Sequence, residues 1–248
     1  MITVGVDLAA QPAGTGVAVL EWGRGAVHVV DLTCDVADAP LVDAVLAADR
    51  AGIDCPFGWP DAFVDLVVDH RAGRLAPPAS SGRPWRRGMS MRATDLFVHD
   101  RTGLMPLSVS ADRIGHTALR WAAVAATLAA HGADTRRDGE GLLAEVYPAA
   151  ALKQWGLTSR RYKGQANRAT RETLVEALLA GAPWLVLGAH RSLCLANDDA
   201  LDAVLCALVA RAVALGQTAG PVSVAERAAA STEGWIHVPT GTLDDLVG

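Results

Sequence analysis

The sequence predicts a single α/β domain built on a mixed sheet. Three β-branched runs open the chain with short breaks between them, a helical segment and a buried strand follow, and helical segments dominate the second half. "MITVGVDLA", "TGVAVLEW" and "AVHVVDLT" are separated by Gly-containing turns, so three antiparallel strands joined by hairpins are the simplest reading. "PLVDAVLAADR" has helical spacing, and "AGIDCPFG" reads as a short buried strand stopped by Pro56 and Gly58. A helix over 61–70 comes next. Residues 71–92, "RAGRLAPPASSGRPWRRGMSMR", mix Pro, Gly, Ser and arginines and predict an exposed loop or flap, the start of an Arg/Pro-rich insertion near 71–110. Beyond it, 112–131 reads as a helix, "GLLAEVYP" as a fifth strand, 166–181 as an amphipathic helix and 198–215 as a strongly apolar one. No repeat, coiled coil or clear linker divides the 248 residues, so one domain over 1–248 is expected.

Composition narrows the function classes. A net charge of −5 argues against a surface that coats nucleic acid generally, while leaving room for a local basic groove around an acidic site. Arginine supplies almost all the cations, since Lys153 and Lys163 are the two lysines, and it suits bidentate phosphate recognition. Cys34, Cys55, Cys194 and Cys206 form no CxxC pair and sit mostly in apolar runs, which reads as small core residues in a reducing compartment and speaks against zinc. With no basic leader before "ITVGVDLA" and no apolar run of membrane-spanning length, a cytoplasmic location away from membranes is expected.

The acids carry the functional reading. Asp7 ends or nearly ends the first strand, Asp54 the fourth and Glu145 the fifth, and adjacent strands lie about 4.8 Å apart, so acids at strand ends can converge. Asn197, Asp198 and Asp199 in "NDDALDAVLCALVARA" suit a helix start, but Asp202 lies a turn inside, on a stripe with Leu205, Cys206 and Val209. A carboxylate buried there needs a partner or a metal, and Asp199 shares its face. Singly, each acid is more often a cap or turn residue. Together they suit Mg²⁺ or Mn²⁺, which take oxygen ligands and assist phosphodiester cleavage by water.

"GVDLA" with the "GTGVAVLEW" hairpin, then "GIDCPFGWP" and "DDALDAVLCALVA", resembles the RNase H-like superfamily, and the "DALDA" helix is similar to that of its Holliday-junction resolvase branch. With "MRATD", "TGLMPLSVSADRIG", "AEVYPAAALKQWGL" and "YKG", the set resembles a family of predicted RNase H-like nucleases over nearly the whole chain. The resemblance implies a meander followed by parallel strands with helices on both faces. It also implies a metal-bridging carboxylate at Asp7, a second ligand at Asp54, and a third at Asp202 with Asp199 beside it. Glu145 departs from the superfamily pattern: replacing a ligand, binding substrate and pairing with an arginine all stay open for it.

Substrate contacts are expected from Arg86, Arg87 and Arg92 with Asp95, and from Tyr162 and Lys163 near Arg160, Arg161 and Arg168, as a phosphate clamp opposite the acids; a surface ion pair or solvated face is the plainer reading of each. Trp85 is a candidate for base stacking, whereas Trp155 and Trp184 are better explained by packing. His116 and His190 read as surface residues. Gly14-Thr15-Gly16 leads into a strand and so is no dinucleotide turn, and Ser80 and Ser81 lack a nucleophile elbow. The expected function is metal-dependent hydrolysis of nucleic acid. The rivals are an ATP-using phosphotransferase of the actin-like relatives and a non-catalytic nucleic-acid or protein-binding module on the same fold.

Overall fold

A computed structural model describes residues 1–247. Its strands are β1 (Ile2–Asp7), β2 (Gly16–Trp22), β3 (Val27–Cys34), β4 (Arg50–Asp54), β5 (Leu143–Val146), β6 (Leu185–Val186), β7 (Thr218–Ala219) and β8 (Ile236–Pro239). The helices are α1 (Asp38–Leu46), α2 (Asp61–Arg71), α3 (Arg83–Ser90), α4 (Ala93–Thr102), α5 (Ile114–Ala130), α6 (Pro148–Gln154), α7 (Arg168–Gly181), α8 (Arg191–Ala196), α9 (Asp198–Ala214) and α10 (Val224–Glu233). The strands form one sheet in the order β6-β3-β2-β1-β4-β5-β8-β7. The β1-β2-β3 meander is antiparallel, and β4, β5 and β8 then run parallel to β1. This is the mixed α/β sheet the sequence predicts, with three short strands added in the last third.

Strand alternation gives the sheet two different faces. Val4 and Val6 of β1, with Ile53 of β4, pack against Leu41 and Val45 of α1 and Trp121, Val124 and Leu128 of α5. The opposite face carries a row of small residues across four strands, since Ala18 pairs with Gly5, Gly5 with Gly52 and Gly52 with Ala144. Into that trough lies α9, close enough that a Cβ on Gly5 would collide with the Ala203 carbonyl and one on Gly52 with that of Cys206. Of the 17 residues of α9, 13 are buried, because α7 and α8 cover its outer side. Each fully buried Leu or Val contributes roughly 1.5–3 kcal/mol, which makes α9 the central element of the core.

Several expectations change in detail. The stretch 71–92 is not loop throughout: Pro84 sits in the first turn of α3, where a missing N–H costs nothing, and the helix runs exposed to Ser90. The rest of the insertion is largely α4, which ends on Gly103 at φ 69°, a left-handed cap that glycine adopts freely. Cys55, Cys194 and Cys206 are buried and Cys34 half-buried, all with free thiols. Trp184 packs against Trp22 with ring centroids 5.7 Å apart. Among the described residues no helix is long and apolar enough to cross a membrane.

Candidate functional site

Register brings the acids together. Asp7 and Asp54 are direct partners on the parallel pair β1 and β4, two residues beyond Gly5 and Gly52, and so lie side by side on the face that receives α9. Asp202, one residue before Ala203, descends onto them from the helix. Carboxylate oxygens of Asp7, Asp54 and Asp202 all lie within 4.8 Å of one another, with Asp202 buried and the other two half-buried. Asp199 stands one turn earlier at the edge of this group, near the Gly14 turn, and adds to its negative potential.

The partners of Asp202 answer the question its burial raises. The Tyr162 hydroxyl donates to Oδ1 at 2.9 Å, and the Lys163 ammonium lies 2.5 Å from Oδ2. That Oδ2 receives no hydrogen bond of good geometry, so the ammonium acts on it as a charge. No donor among the described residues hydrogen-bonds the Asp7 or Asp54 carboxylate. Burial, the neighbouring acids adding to it, holds Asp7 well above its usual range and pushes Asp54 up to about 7, against the pull of Lys163. Three carboxylates against one ammonium leave two negative charges unmatched. A divalent cation fits that deficit and that all-oxygen donor set, and without one, protons supply the balance.

Arg171 of α7 positions Tyr162 and Lys163, and sequence reasoning missed it. Fully buried, it donates to the carbonyls of Tyr162 and Gly164 on one side and to those of Leu195 and Ala196 on the other, with Asp198 at 3.4 Å. It thereby fixes the 162–164 loop to the start of α9. The signal was an arginine on the apolar stripe of Leu174, Val175 and Leu178, where a charge must find partners. Arg120 of α5 plays a like part for the turn after β1, donating to Ala9 and Gln11 carbonyls, the Thr15 hydroxyl and Asp38.

The contacts of three other groups of candidate residues decide between their readings, and for Glu145 they select the pairing with an arginine. Glu145 pairs with Ile53, not with Asp54, so alternation turns it to the other face of the sheet and away from the metal-ligand position. There it accepts the Phe57 N–H and both terminal nitrogens of Arg92. Arg92 and Asp95 are buried too, and Asp95 takes Nε and Nη2 of Arg92 while the Glu233 carbonyl takes Nη1. All five guanidinium donors are thus occupied, leaving none for a phosphate. Finally, Tyr162 and Lys163 are not a clamp facing the acids: they are bonded to one of them.

A cavity of about 470 Å³ opens beside Asp54 and Lys163. Pro106, Leu107 and Ile114 give it an apolar wall, Tyr147 an aromatic side, and the exposed Arg160 and Arg161 a basic rim. Arg86 and Arg87 lie apart from it on exposed α3, around a shallow hollow that Met105 shares, with Trp85 half-buried on the same helix.

No curated protein and no solved structure matches the chain. A family model described as a protein of unknown function (DUF429) matches residues 5–227. That span runs from Gly5 in the trough past α9, and contains every acid of the cluster with the Tyr162 and Lys163 that hold it, so the chain belongs to the DUF429 family.

Proposed function

We propose that this protein is a metal-dependent nuclease whose Asp7, Asp54 and Asp202 hold Mg²⁺ or Mn²⁺. The observation that carries the reading is the convergence of three carboxylates, two of them without a hydrogen-bond donor, around a deficit of two positive charges. The order of elements supports it as well, since a meander, parallel strands and a final acid-bearing helix resemble the RNase H-like nucleases. When bound, the ion supplies positive charge to a phosphodiester and makes water a competent nucleophile at neutral pH. The chain's own residues do the rest. The cavity takes the nucleotide next to the scissile bond, its apolar wall meeting the base and Arg160 and Arg161 the phosphates. Water's oxygen bonds to phosphorus as the bond to the leaving alcohol breaks, and the alcohol takes a proton, giving a phosphomonoester and a hydroxyl end. Arg86 and Arg87 extend the basic track along α3.

The test is Mn²⁺ calorimetry on the parent and Asp54→Asn, followed by DNA and RNA oligonucleotides, single-stranded and duplex, with Mg²⁺, Mn²⁺ or Ca²⁺. Saturable Mn²⁺ binding lost in Asp54→Asn, and cleavage with Mg²⁺ or Mn²⁺ but little with Ca²⁺, is expected. No metal binding, or metal binding unaffected by Asp54→Asn, overturns the reading; stabilisation by ATP without nucleic-acid cleavage would favour a phosphotransferase instead.

A further inference from the structure

Lys163 has an unusual posture for a surface lysine. Its side chain is 52% exposed, yet its ammonium lies 2.5 Å from an oxygen of the fully buried Asp202. The stem therefore comes in from solvent and the head is inserted among the acids. The backbone beneath it is fixed: Arg161 at φ 59° and Gly164 at φ 81° form a sharply turned loop, and Arg171 holds the carbonyls of Tyr162 and Gly164. What remains free is the four-carbon stem. Lys163 also lines the cavity rimmed by Arg160 and Arg161, so a rotation of the stem would move the head from the acids to that cavity without disturbing the loop.

Resting on the metal-site reading above, we infer that Lys163 is a tethered counter-ion that a divalent cation displaces. A divalent ion on Asp202 Oδ2 would set two positive charges against an ammonium 2.5 Å from the same oxygen, so the two repel one another there. In the metal-free protein the ammonium offsets one charge of the cluster and limits the repulsion among Asp7, Asp54 and Asp202. Arrival of the divalent ion takes the oxygen and repels the ammonium. The released head joins Arg160 and Arg161, where it meets a phosphodiester. Metal binding and phosphate binding are then coupled through one side chain, each favouring the other, with the phosphate groove completed after the metal is in place.

The two-lysine composition makes this directly measurable, because Lys153, exposed on α6, is a built-in control. The native protein is labelled with an amine-acetylating reagent at fixed pH, with and without saturating Mn²⁺, and both lysines are followed by mass spectrometry. Without metal, Lys163 is expected to react at least tenfold more slowly than Lys153. Mn²⁺ should accelerate Lys163 at least fivefold and leave Lys153 unchanged. A Lys163 rate unaltered by Mn²⁺, while calorimetry records Mn²⁺ binding, overturns the inference and spares the metal site; no Mn²⁺ binding overturns both. Lys163→Met supplies the second measurement: where it folds, about tenfold tighter Mn²⁺ binding is expected, and equal or weaker binding sinks the displacement. Should it fail to fold, the labelling result decides alone.

Discussion

At one end of the cavity Arg92 spends all five of its N–H donors on Asp95, Glu145 and the Glu233 carbonyl, while at the other three aspartates share a lysine and a tyrosine. Both groups are acidic, wholly or partly buried, and border one cavity. The first is saturated, with every donor matched to an acceptor in fixed geometry. The second is short of positive charge and of donors. Burial and acidity are common to both, so neither separates the two groups; the unmatched balance does. A closed network is a structural joint, here tying α4, β5 and the end of α10 together, whereas the open one is, on the function proposed above, the place for a ligand.

The saturated network should be the more costly to break. Arg92→Met strands Asp95 and Glu145 without their cation, and a loss of about 3–5 kcal/mol in urea-unfolding stability is expected. A loss below about 1 kcal/mol would mean that the network is less closed than its hydrogen bonds indicate.

A second measurement, on the strand that pairs with β5, uses pH. His237 of β8 is buried, with Nε2 donating to the Asp138 carbonyl and Nδ1 accepting from the Thr218 hydroxyl. Burial, with Arg50 adding to it and the Asp138 carbonyl opposing, pulls it down to about 4. An unfolded histidine takes its proton near pH 6.5, before the folded one does, so this contribution is whole above about pH 6.5 and is lost as pH falls toward 4. It amounts to about 3 kcal/mol, and urea titrations across that window in the parent and His237→Gln should show the slope flattened in the variant.

Within the open cluster the two sides of the deficit can be separated. Asp202→Asn removes the partner of Lys163 and weakens that of Tyr162, so the metal-free protein should lose about 1–3 kcal/mol. Asp54→Asn removes a carboxylate that has no donor and repels its neighbours once ionised, so above about pH 7 the metal-free protein should gain about 1 kcal/mol. Both should lose the Mn²⁺-induced rise in melting temperature expected of the parent. Two changes of like sign without metal would erase the distinction between the acids. The smallest stability effect belongs to Arg86→Ala with Arg87→Ala on exposed α3, within about 0.5 kcal/mol of the parent. The same pair should lower the slope of oligonucleotide affinity against salt by about two phosphate contacts, measured by fluorescence anisotropy.

What the sequence made legible follows the length and regularity of its elements. The meander, β4, α5 and α9 could be read because their periodicity persists for several residues, and Asp7, Asp54 and Asp202 because each interrupts such a run. Glu145 interrupts one as well, but which face it occupies depends on its pairing with Ile53, and register with a strand 90 residues away leaves no local trace. The strands β6, β7 and β8 are two to four residues long, too short to show alternation. The roles of Arg92 and Arg171 escaped for the same reason as Glu145. Their partners are acids and backbone carbonyls brought near by folding, and an arginine's letter looks the same whether it faces phosphate or protein.

The small-residue trough beneath α9 has a consequence for how sequences of this kind diverge. Because the helix backbone rests directly on Gly5 and Gly52, any side chain there would lift α9 and with it Asp202. The acids tolerate exchange in a way these glycines do not, since a neutral asparagine can sit where an aspartate sat. On the nuclease reading, a descendant that abandons chemistry should therefore shed its aspartates first and keep its glycines. Sequences of this type that retain the glycine pair without the acids would be folded relics, suited to binding and not to turnover, whereas a chain that has lost the pair would have had to rebuild its core.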